Sequence, residues 1–87
     1  MNKELIWKNE KDTIKITNLK ELLNILVNTK QENIDKSINQ NLNNLILWLE
    51  ENFPRMLIFT TRLKVESKEY TPQQIRELII RELRSQN

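Results

Sequence analysis

The chain contains no cysteine, no histidine, no glycine and no alanine. Each absence removes a class of chemistry. Without cysteine there is no disulfide framework, no thiolate zinc site and no thiol nucleophile. Without histidine the commonest general base and the commonest metal ligand are both missing. Without glycine there is no phosphate-cradling P-loop, no dinucleotide fingerprint and no nucleophile elbow. No apolar run approaches the ~20 residues that a membrane-spanning helix needs. The opening segment, Met1-Asn2-Lys3-Glu4-Leu5-Ile6, carries charge and no long apolar core. No signal peptide is expected from it, and the expected compartment is the cytoplasm.

What remains is a short, charged, aliphatic sequence. Its 87 residues suit one domain, 1–87. A chain of this size buries only about 60–65% of its unfolded surface, so its core is small. The net charge of +2 bears on solubility more than on choice of partner. Isoleucine (11), asparagine (12) and lysine (9) dominate, and all three use AT-rich codons. Alanine and glycine need GC-rich ones, so part of their absence reflects genome composition.

The pattern predicts a β start followed by helices. Residues 4–8 and 13–17 are rich in β-branched and aromatic types, with Ile14 and Ile16 alternating against Lys15. The polar stretch Asn9-Glu10-Lys11-Asp12 suits a four-residue turn, which gives a hairpin over about 4–17. Asn18 with Glu21 has capping-box spacing and opens a helix over about 19–28. Thr29 with Glu32 repeats that spacing ahead of a long helix, about 30–52. The long helix carries the stripe Ile34, Ile38, Leu42, Leu45, Leu49 and Phe53 within roughly a 100° arc. Leu47 falls nearly opposite that stripe, and Trp48 sits beside it. Pro54 ends or redirects the helix.

Two patterns fit residues 55–65. Met56, Phe59 and Leu63 share a helical face, whereas Leu57, Phe59, Thr61, Leu63 and Val65 alternate as in a strand. Helix is preferred. Thr71-Pro72-Gln73-Gln74 then gives a capped start for a helix over about 72–85, with Ile75, Leu78, Ile79 and Leu83 facing inward. Glu77 and Arg81 have the i,i+4 spacing of an ion pair, and Ile80 lies off the stripe. With no glycine for left-handed helix ends, Asn28 and Asn52 are the expected substitutes.

This order of features resembles a small archaeal domain family. The family pattern is a short strand, a helix opening on NL-x-EL, a helix with a hydrophobic–Asn pair and an x-Trp-x core, and a leucine-rich helix. The corresponding residues are Asn18-Leu19-Lys20-Glu21-Leu22, Ile38-Asn39, Asn43-Asn44-Leu45 with Leu47-Trp48-Leu49, and Leu57 to Leu63. The resemblance covers most of residues 12–65. The chain departs from it at the family's histidine, where Lys36-Ser37 stand, and at its aspartate, where Asn44 stands. The resemblance implies a helical 55–65 and an archaeal or archaeal-virus origin, and it implies no activity.

Candidate sites are few. Glu50 and Glu51 are adjacent on a helix, so they point about 100° apart and do not converge for acid–base work. No Asp-x-Asp loop offers a carboxylate cage for a cation. No enzymatic activity, metal site or cofactor is expected. All five arginines, Arg55, Arg62, Arg76, Arg81 and Arg84, lie in the second half and are the candidate nucleic-acid contacts. Gln73, Gln74 and Arg76 are chemically able to read bases, and Trp48, Phe59 and Tyr70 to stack on them. Interleaved Glu77 and Glu82 weaken that surface. Leu47, Trp48 and Ile80, off their helices' stripes, are the candidate protein interface.

The expectation is a single, mostly helical α+β domain. It acts as a non-enzymatic protein-interaction module, an adaptor or regulatory subunit able to self-associate. The alternative is a nucleic-acid-associated protein. The core should centre on the long-helix stripe against Leu22, Leu26, Phe59, Ile75, Leu78 and Ile79. Leu45→Ala should therefore cost about 2–5 kcal/mol in chemical denaturation, as core truncations do. A change too small to measure would show that the stripe is misplaced.

Overall fold

The computed structural model describes residues 3–86. Strands β1 (Leu5–Lys8) and β2 (Thr13–Ile16) form the hairpin, antiparallel, with Leu5 opposite Ile16 and Lys8 opposite Thr13. Its turn closes through the Asn9 N–H, which donates to the Asp12 carbonyl at 2.8 Å. Helices α1 (Leu19–Asn28), α2 (Ile34–Asn52), α3 (Leu57–Glu66) and α4 (Pro72–Ser85) follow. The expected α+β class holds, and residues 55–65 are helical.

The helix boundaries follow their caps, with two corrections. The Asn18 side chain accepts from the Glu21 N–H at 2.9 Å, as the spacing predicts. The Glu21 carboxylate turns back one residue further, to the N–H and hydroxyl of Thr17. Those Thr17 bonds, joined by Asn18, hold its pKa below the ordinary glutamate value. Thr71 and Gln74 form the full capping box, with bonds of 3.2 and 2.9 Å. Thr29, by contrast, does not open the long helix. It closes α1, its hydroxyl donating to the Ile25 carbonyl at 2.7 Å. A 3-10 turn (Gln31–Asn33) intervenes, and α2 starts at Ile34 rather than residue 30. A second 3-10 turn (Pro54–Met56) leads into α3.

The asparagine substitutes for glycine are not used. Among the described residues none has positive φ. Thr29 and Phe53, at φ -68° and -133°, end α1 and α2 without a left-handed turn. The described residues thus avoid the left-handed conformation that glycine adopts most cheaply.

The core surrounds α2, which packs against β1, α3 and α4. Ile34, Ile38, Leu45 and Leu49 are buried as expected, with Leu22, Leu26, Ile75, Ile79 and Leu83. Leu42, Phe59 and Leu78 are only half-buried. Ile46 and Trp48 widen the buried face of α2, because helices or strands cover it on more than one side. The hairpin buries Leu5, Trp7 and Ile16 on the same core. The Trp7 indole N–H has no hydrogen-bond partner in the protein. Burying a ring of this size is worth about 4–6 kcal/mol, which exceeds the roughly 1–3 kcal/mol that an unpaired donor costs.

A two-stranded hairpin is marginal alone. Here α2 holds the last residue of its open edge. The Asn41 amide accepts from the Lys8 N–H at 2.7 Å and donates to the Lys8 carbonyl at 2.9 Å. It thereby offers Lys8 what a neighbouring strand would. Two turns along, the Trp48 indole donates to the Lys3 carbonyl, and Asn52 accepts from the Lys3 N–H at 3.0 Å. Asn41 is fully buried and also donates to the Ser37 carbonyl at 2.8 Å. Asn41→Ala strands both Lys8 groups and should cost about 2–3 kcal/mol. Urea denaturation will measure it, and amide exchange of Lys8 should rise with it.

Candidate functional site

The structure offers three places, two of which hold sequence candidates. The first is a groove between α1 and α4. Arg76, Arg81 and Arg84 lie on neighbouring turns of α4, and all three line it with Glu77. Ile80 and Val27 supply its apolar surface. The groove has a volume of about 440 Å³. Two candidates assigned to different partners, Ile80 and the α4 arginines, therefore share one site. The signal was present in the sequence, since an arc of roughly 140° on a helical wheel holds all five α4 residues. Its other wall, Val27 of α1, was not legible because it depends on how α1 packs on α4.

The three arginines are not equivalent. Arg76 donates from Nη1 to the Thr29 carbonyl at 3.2 Å, at the end of α1. A guanidinium there satisfies a terminal carbonyl and complements the helix dipole. Arg76 thus holds the fold together. Arg81 and Arg84 are exposed, and the Glu77–Arg81 pair that the spacing suggests is not formed. Arg55 and Arg62 lie elsewhere, on the second 3-10 turn and on α3, so the five arginines do not make one surface. Arg62 is paired with Glu66 at 3.4 Å.

The second place is the hairpin side of α2. Trp48 does not belong to an exposed interface, for it is only 4% exposed and fixed to Lys3. The sequence placed it beside the α2 stripe, but β1 covers that side. Leu47 remains half-exposed near Ile6.

The third place was missed by the sequence reading. On α3, Ile58 is 80% exposed, Val65 67% and Leu57 55%. The buried residues of this helix are Thr60 and Leu63, with Met56 just ahead of it. Thr60 satisfies its own hydroxyl by donating to the Leu57 carbonyl at 3.0 Å. The helix buries a threonine and exposes its large aliphatics. The two competing patterns of residues 55–65 contained the signal, because apolar residues spread over more than one helix face cannot all turn inward in a small domain.

A cleft of about 590 Å³ lies between the hairpin turn and the junction of α1 and α2. Lysines 8, 11, 30 and 36 line it, together with Glu10 and Asp12, and Lys36 pairs with Glu10 at 3.7 Å. Among the described residues no group of three or more acidic side chains is placed to hold a metal ion. None of the described helices is long and apolar enough to cross a membrane. Comparison with protein-family models, curated proteins and solved structures returned no significant match. The resemblance to a small archaeal domain family gains no support from those comparisons.

The division among the arginines is measurable. Arg76→Ala should cost about 1–2 kcal/mol, since a charged hydrogen bond at a helix end is lost. Arg84→Ala should stay within about 0.5 kcal/mol, as surface changes do. Thermal denaturation of the two variants distinguishes them.

Proposed function

We propose that this protein is a non-enzymatic protein-interaction module, an adaptor or regulatory subunit that docks through the outer face of α3. One observation carries the reading. Three large aliphatic side chains, Leu57, Ile58 and Val65, stand on one helix face with no element of the fold over them. Single exposed apolar residues are ordinary, but a contiguous group marks a binding surface. The face is helical, so it offers a partner anchors at i, i+1 and i+8, in the manner of a helix laid into an apolar groove. Origin in an archaeon or archaeal virus and a cytoplasmic location complete the proposal.

A second reading, association with nucleic acid, is supported by the convergence of Arg76, Arg81 and Arg84 on one groove. Glu77 in that groove and the Arg62–Glu66 pair oppose it. Phosphate-tracking surfaces carry few acids.

Tagged protein should capture a stoichiometric protein, and Ile58→Glu should abolish the capture with the circular dichroism spectrum unchanged. Equal capture by the variant would remove α3 from the reading. For the second reading, affinity for duplex DNA should fall with salt at a slope of about -0.9 per phosphate contact. A flat salt dependence would rule it out.

A further inference from the structure

We propose that the cleft between the hairpin turn and the start of α2 binds a small organic phosphate, held by three lysines and the Ser37 hydroxyl. The proposal is independent of the docking reading, since no residue of α3 lines the cleft. Three parts of the fold converge there. The hairpin brings Lys8 and Lys11, and the loop after α1 brings Lys30. Helix α2 presents one face of its first turns, made by Asn33, Lys36, Ser37 and Gln40 within an arc of about 100°. Asp35, the acid of that first turn, falls roughly 200° from Asn33 and lies outside the cleft.

Ser37 is the residue that asks for a ligand. It is 7% exposed, it lines the cleft, and its buried hydroxyl has no hydrogen-bond partner in the protein. A serine inside a helix ordinarily turns its hydroxyl to solvent or bonds it to the carbonyl one turn back. Ser37 does neither, and a buried unpaired polar group carries a cost that alanine would not. A phosphate oxygen in the cleft accepts from such a hydroxyl.

Charge picks the ligand class. Lys36 is paired with Glu10 at 3.7 Å. Lys8, Lys11 and Lys30 have no acidic partner among the described residues. Asp12, the other carboxylate of the cleft, accepts from the Asn9 amide at 3.3 Å. Three uncommitted ammonium groups therefore share the cleft with one carboxylate, a surplus that suits a dianion. The Asn41 clamp on the Lys8 backbone fixes where that lysine stands. The remaining wall suits an organic group. Ile14 and Ile25 give it apolar contact, while the amides of Asn28, Asn33 and Gln40 match hydroxyls. The volume of about 590 Å³ falls among small-molecule sites of about 300–1,000 Å³, and is larger than phosphate alone needs. A nucleic-acid strand asks for a basic track with few acids, which Glu10 and Asp12 interrupt.

Calorimetric titration of the full chain with ribose 5-phosphate and with adenosine 5′-monophosphate tests the proposal. At least one ester should bind at a single site with Kd below about 1 mM. Inorganic phosphate and unphosphorylated ribose should bind at least about tenfold more weakly. Backbone amide shifts on titration should centre on residues 8–12, 30 and 37 and spare α3. Lys30→Ala should weaken binding about tenfold, the loss of one charged hydrogen bond. Ser37→Ala should weaken it severalfold and leave the thermal midpoint unchanged or higher, because the fold gives this hydroxyl no partner. No saturable binding of either ester, shifts centred elsewhere, or affinity indifferent to Lys30→Ala overturns the proposal. Equal affinity for inorganic phosphate overturns the organic ligand. A Ser37→Ala variant that melts lower and binds equally well overturns the role given to the hydroxyl. Displacement of the ester by duplex DNA at equal phosphate concentration assigns the cleft to nucleic acid instead, and overturns the small ligand.

Discussion

The open edge of β1 is the constraint on which the rest of the structure depends. A strand edge with free N–H and C=O groups is unstable in water and prone to pair with other chains. In this fold a helix holds its last residue and the residue ahead of it. Asn41 pairs with both backbone groups of Lys8, while Trp48 and Asn52 hold those of Lys3. The three side chains lie seven and four residues apart, so they line one face of α2. That alignment fixes how α2 lies across the hairpin. It also commits one side of α2 to β1 and leaves the others to α3 and α4.

From that commitment follows the shortage that shapes the surface. A small domain has little interior, and β1, α1 and α4 already fill much of it around α2. Helix α3 contributes Leu63, with Met56 from the turn before it and Thr60 between them. Among the described residues no second layer covers its other side. Burying a large aliphatic is worth about 1.5–3 kcal/mol, yet α3 turns Thr60 inward and Ile58 outward. The proposed docking through α3 rests on that. The surface ion pairs around it, such as Arg62–Glu66, contribute at most about 1 kcal/mol each. They shape the rim more than they stabilise the fold.

The arginine groove shows how one residue type divides its labour. Arg76 closes the end of α1, so its charge acts first on the fold. Arg81 and Arg84 carry no such duty and leave the groove basic, with Glu77 offsetting part of that charge.

The sequence by itself determined the element types and most of their limits. Local signals did this. Asn18 and Thr71 cap α1 and α4 through side chains three residues from the groups they bind. Pro54 stops α2, and a stripe at helical spacing marks the buried face around Leu45. Where two local roles were open to one residue, spacing could not choose. Thr29 had the spacing of a helix start, yet its hydroxyl bonds backward to Ile25 and closes α1. Only tertiary structure decided which sides of α2 are covered, and so that Trp48 is buried and Leu47 is not. It alone gave Asn41 and Asn52 their purpose, because their partners, Lys8 in β1 and Lys3 just ahead of it, lie more than thirty residues earlier. It alone left the aliphatics of α3 outside. Helical periodicity shows which residues share a face, but the number of neighbours available to cover that face is a property of the whole packing.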